Sequence, residues 1–101
     1  MENYLQRAWS DATDNVGILE IHKAVAELKE MDDEHDAFWV TVVADDETIL
    51  EVDKHMNIIL VSSNRPENAL KRQLNTWEEV LSFYELLLNE EFELLQLKMQ
   101  K

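Results

Sequence analysis

The chain has 101 residues, with 22 Asp and Glu against 9 Lys and Arg, so its formal net charge is −13. A 46% hydrophobic content can build a core and argues against disorder, and a single Gly and a single Pro exclude collagen-like and low-complexity chains. Zero cysteines exclude disulfides and thiolate metal sites, no run approaches the roughly 18 apolar residues of a membrane span, and the start MENYLQRAWSDATD lacks the pattern of a secretory signal.

The expectation is one cytoplasmic domain over 1–101, without membrane contact. Residues 3–9, NYLQRAW, fit both a helix (Leu5, Ala8, Trp9, Ala12) and a strand (Leu5, Arg7, Trp9). Asp11, Thr13, Asp14 and Asn15 are turn and cap types, and Gly17 follows. In ILEIHKAVAELKEM, Ile18, Ile21, Val25 and Leu28 recur at three- and four-residue steps, which predicts an amphipathic helix over 17–31. AFWVTVVA is β-branched and aromatic and predicts a strand over 37–44. Both of its faces are apolar, so it is expected to be central and covered on both sides. Alternation over 48–53 and the run MNIILVS over 56–62 predict two more strands and an antiparallel meander. After the SNRPEN loop, ALKRQL over 69–74 reads as a short, charged edge strand.

Thr76 and Glu79 have capping-box spacing, and Trp77, Val80, Leu81, Tyr84, Leu87 and Leu88 follow at helical steps, predicting a helix over 77–89. The tail FELLQLKM fits either type, and Asn89 as a C-cap tilts the expectation toward a final strand. The fold class is therefore α+β: a mostly antiparallel sheet of four to five strands packed with two helices.

The charge is unevenly distributed. Between Glu30 and Asp53 stand ten acidic residues and no Lys or Arg: Glu30, Asp32, Asp33, Glu34, Asp36, Asp45, Asp46, Glu47, Glu51 and Asp53. A second block from Glu78 to Glu93 is equally free of cations, which gather at Arg65, Lys71 and Arg72. Such a surface repels phosphates and anionic lipid and attracts a basic partner, although a merely solvated acidic face has the same composition. The meander places Asp32–Asp36 beside the Asp53–His55 turn, and Asp45, Asp46 and Glu47 at the opposite end, near Asp11, Asp14 and the Ser62–Glu67 loop.

Chemistry-bearing motifs are scarce. Asp32–Asp36 offers oxygen ligands but lacks the alternation, central Gly and closing Glu of a calcium loop, and reads as a solvated loop. Ser62, His55 and Asp53 have no nucleophile-elbow motif around them. With one glycine there is no phosphate-cradling loop, and no pair stands out among 22 carboxylates. His22 is expected at the boundary of the first helix's apolar stripe. Trp39 reads either as an exposed binding anchor or, the favoured reading for a strand with two apolar faces, as core; Trp77 reads as core, and Trp9 is least constrained. The expectation is a binding protein, not an enzyme, with no cofactor and no metal.

Over roughly 16–97 the order of elements resembles bacterial immunity proteins, the partners of polymorphic and contact-dependent growth-inhibition toxins. The resemblance is carried by the helix IHKAVAEL and the strand with its acidic turn, FWVTVVADDE. The ILEV and IILV hairpin and the helix TWEEVLSFYELLL complete it. Where relatives often end that last helix with glycine, this chain has Asn89-Glu90-Glu91. The resemblance implies a monomer that binds and neutralises a cognate toxin domain one to one. That toxin is expected to be a nuclease with a basic face. Its contacts are expected among Asp32, Asp33, Glu34, Asp36, Asp53, Asp45, Asp46 and Glu47, without direct nucleic-acid binding. Two alternatives share the acidity: a secretion chaperone of the type III kind, holding an effector segment, and a DNA-mimicking anti-defence protein.

Overall fold

The structure, a computed structural model, describes residues 2–7, 12–30, 36–43, 47–62 and 69–100. Its centre is the β-branched segment AFWVTVV, strand β3 (Ala37–Val43). Branched side chains fit a pleated surface better than a helix, and here both edges of the segment are paired. On one side runs β4 (Glu47–Asp53), from Ala37↔Asp53 to Val43↔Glu47; on the other runs β1 (Glu2–Arg7), from Arg7↔Phe38 to Glu2↔Val43. Strands β5 (Asn57–Ser62) and β6 (Leu70–Gln73) extend the meander, and the two-residue β2 (Thr13–Asp14) flanks β1. All pairings are antiparallel, in the order β2-β1-β3-β4-β5-β6. Among the described residues the sheet thus has six strands where four to five were expected. NYLQR, ambiguous alone, becomes an inner strand because β3 offers it a free edge.

Helix α1 (Ile18–Glu30) buries Ile21, Ala24, Val25 and Leu28. At its start the Glu20 carboxylate accepts a hydrogen bond from the Gly17 N–H (2.9 Å). That bond holds the Glu20 carboxyl below its ordinary range. Arg7 ties three elements together: its Nε donates to Glu27 of α1 (3.1 Å) and its guanidinium to Thr13 Oγ1 of β2 (3.2 Å).

Helix α2 (Trp77–Leu88) begins where the spacing predicts. The Glu79 N–H donates to Thr76 Oγ1 (3.2 Å), and Val80, Phe83, Tyr84 and Leu87 face the core. Tyr84, fully buried, stacks on Phe38 with ring centroids 5.4 Å apart and donates from its hydroxyl to the Leu50 carbonyl (2.8 Å). Burial pushes its phenol well above the ordinary value, so it stays a neutral donor.

The tail is a third helix, α3 (Phe92–Met99), not a strand. Leu95 and Met99, four residues apart, are its buried pair, and Arg72 of β6 donates to the Lys98 carbonyl (2.7 Å), satisfying one open acceptor of the last turn. The described residues form three helices where two were expected.

The core face of the sheet carries Leu5, Phe38, Val40, Val42, Leu50, Val52, Ile58 and Leu60, all buried with side chains of the helices. The opposite face has no described helix against it. β3 is central as expected; Phe38, Val40 and Val42 are buried under the described helices, and on the other face, where no described helix lies, Thr41 is buried while Trp39 and Val43 are half-buried.

Candidate partner-binding surface

Residues directly opposite one another in an antiparallel ladder point to the same side. The registers therefore assemble the helix-free face row by row. One row runs Asp14–Tyr4–Thr41–Ile49–Val61 and the next Gln6–Trp39–Glu51–Ile59–Lys71. Ala37 with Asp53 and Val43 with Glu47 flank these rows. Tyr4, Trp39, Ile49, Ile59 and Val61 are half-buried, and Thr41 between them is buried. The middle of the face is thus aromatic and branched. Among the residues whose side chains are described, its charges are Asp14, Glu47, Glu51 and Asp53 against Lys71.

Glu51 stands in the middle of this face, between Trp39 on β3 and Ile59 on β5. Partial burial raises its carboxyl above the usual range, and Asp53, two residues along the same face, raises it further. No hydrogen bond or ion pair joins its side chain to another described residue. Asp53 differs. Its Oδ1 accepts from the His55 and Asn57 N–H groups (both 2.9 Å) and its Oδ2 from Asn57 Nδ2 (3.0 Å). That carboxylate organises the β4–β5 turn, in which Met56 adopts a left-handed φ of 63°.

Among the residues expected at the interface, Asp32, Asp33, Glu34, Asp45 and Asp46 lie outside the described residues. Asp36 adjoins Ala37 and so shares an end of the sheet with Asp53, while Glu47 lies opposite Val43 at the other end. Ser62 and His55 are at opposite ends of β5: Ser62 pairs with Thr48, and His55 lies in the turn. Among the described residues no three His, Asp or Glu side chains group closely enough to hold a metal ion, and no helix is long and apolar enough to cross a membrane.

Two expectations about single residues are corrected. His22 is exposed, not at a boundary. Trp39 lies half-buried on the helix-free face and not in the core, because no described element packs over that side. Trp77 is half-buried and packs against the core, and Trp9 lies outside the described residues. Sequence reasoning placed Ile49 with Glu51 and Asp53 on this face but missed Tyr4, Ile59 and Val61 as surface residues. The available signal was an apolar residue at successive positions of both faces of neighbouring strands, more apolar surface than two helices cover.

Comparison with protein-family models, with curated proteins and with solved structures finds no match.

Proposed function

We propose that the chain is an immunity protein: in the cytosol it binds a cognate toxin domain one to one and neutralises it by acidic complementarity. The observation that carries this reading is the sheet face with no described helix over it, where half-buried aromatic and branched side chains surround a carboxylate without a partner among the described residues. Interfaces combine an apolar centre, rich in Trp and Tyr, with a polar rim. On a chain of net charge −13 such a face suits a basic partner. A nuclease supplies that basic face, because it must attract phosphate. The inhibitor then competes with nucleic acid and associates quickly under electrostatic steering.

The apolar centre of the same face also favours the export-chaperone reading, in which an extended effector segment lies on the sheet of a symmetric dimer. Co-expression with the product of the adjoining reading frame separates the two. Restored growth, loss of nuclease activity and a 1:1 complex support the immunity reading. A chain that is dimeric alone and binds only an unfolded segment supports the chaperone. Unrelieved toxicity with no complex overturns the immunity reading.

A further inference from the structure

Two aromatic rings on the helix side already have a cation over them, Lys29 Nζ 6.0 Å from the Trp77 centroid and Lys98 Nζ 5.8 Å from that of Phe83. Trp39 has no such cation among the described residues, yet its cross-strand neighbour is Glu51. Directly opposed residues hold their Cβ atoms roughly 5 Å apart, so indole and carboxylate line one small patch. The described cation of that row, Lys71, is two strands away from Glu51, roughly 10 Å at about 4.8 Å per strand. Asp53 adds a second negative charge on the same side, and its opposite residue, Ala37, is too small to fill the space beside it.

An aromatic face beside a carboxylate is a receptor for a cation. Arginine fits better than lysine: its planar guanidinium stacks on indole while donating in a fork to a carboxylate, whereas an ammonium is a more strongly hydrated point charge. We propose that the Trp39–Glu51 pair is the anchor point for an arginine side chain presented by the basic protein partner, with Ile49, Ile59 and Val61 packing around it. This rests on the reading of the chain as a binder of a basic protein and assigns that partner's contact to the sheet face, not to the acidic segments Asp32–Asp36 and Asp45–Glu47. Charge complementarity selects the occupant. A partially desolvated carboxylate without a counter-ion gains more from a guanidinium than a fully solvated one, because the pair forms where water is already reduced.

The test uses the full chain and the blocked tripeptide Ac-Ala-Arg-Ala-NH2, followed by residue-resolved NMR. The expected result is saturable shifts at Gln6, Trp39, Glu51 and Ile59. The Glu51→Gln variant should weaken the apparent affinity at least fivefold, and the neutral citrulline tripeptide should cause no comparable shifts. Trp39→Leu should weaken it also, and Glu51→Gln, which removes a partly buried charge, keeps the test valid if the Trp39 variant fails to fold. Shifts confined to Asp36 and the Asp53–His55 turn, an equal response from Glu51→Gln, or no saturable shift at all would overturn the proposal. If the toxin partner binds wild type and Glu51→Gln alike, the anchor is wrong while the immunity reading stands. If the tripeptide binds at this pair but no toxin partner does, the anchor stands and the immunity reading falls.

Discussion

Among the described residues three sit in the left-handed region, Asn15 (φ 55°), Met56 (φ 63°) and Glu90 (φ 59°), in a chain with one glycine. Glu90 follows α2, and the bonds Glu90 N–H to Leu87 O (3.1 Å) and Glu91 N–H to Leu86 O (2.9 Å) form a Schellman motif. Glycine is the usual occupant of that position, because a Cβ there costs about 1–2 kcal/mol. Glycine also gains freedom in the unfolded chain, which offsets part of the relief. Glu90→Gly is therefore expected to raise stability by about 0.5–1 kcal/mol, read as a higher urea midpoint; a lower midpoint would remove the strain argument. At the other end of the same helix, Thr76→Ala should cost about 1 kcal/mol by losing the N-cap bond, and an unchanged midpoint would misplace the helix start. Glu51 gives a pH signature. Its folded-state pKa lies above its ordinary value of 4.5, so the native state binds the proton more tightly than the unfolded chain. Stability from this group is therefore lost as pH rises from the unfolded pKa through the folded one. Glu51→Gln should raise the thermal midpoint at pH 7, and the gain should shrink toward pH 4 and below. A gain independent of pH would place its origin elsewhere.

Among the elements, α3 separates what periodicity fixes from what packing decides. In FELLQLKM the apolar residues satisfy a step of two and a step of four alike, so the pattern alone could not choose. Two observations decide it: Leu95 is 0% exposed while Leu97 is 57% exposed. A strand would put both on one face. Leu95→Ala should therefore cost about 2–5 kcal/mol, as buried leucines do, and Leu97→Ala should stay within about 0.5 kcal/mol, as surface changes do. Comparable losses in chemical denaturation would contradict the helix. The meander, α1 and α2 were legible because each carries a one-sided stripe or an unbroken β-branched run. β1 was not, since Leu5 is its one fully buried apolar residue and its strand character comes from pairing with β3. The helix-free face was equally hidden. An apolar strand pattern says that a face avoids water, but which face the helices cover depends on how many helices there are and where their connections lead.

At the scale of the whole molecule the question is how −13 acts on a partner. Asp36 adjoins one end of β3 and Glu47 lies opposite its other end, six residue steps apart between Ala37 and Val43, or roughly 20 Å at about 3.3 Å per step. The screening length at physiological salt is about 8 Å, so the two ends act on a partner almost independently. Reversing Asp32, Asp33 and Asp36 to Lys, or Asp45, Asp46 and Glu47 to Lys, changes the net charge equally, −13 + 6 = −7 in each case. A difference between the triples therefore reports position, not total charge. The Asp32–Asp36 end has the denser acids, so its reversal is expected to weaken toxin binding at least tenfold, about 1.4 kcal/mol. That loss should fall mainly on the association rate and diminish at high salt, because exposed charges steer encounter. Glu51→Gln, at the centre of the sheet face, should instead raise the dissociation rate and keep most of its effect at high salt. Stopped-flow kinetics on the three variants at low and high salt separates these contributions. If the Asp45 triple abolishes binding while the Asp32 triple is neutral, the partner approaches from the other end of the sheet. If neither triple changes the association rate, the acidic segments are only a solvated surface. Any binding energy then resides in the sheet face alone.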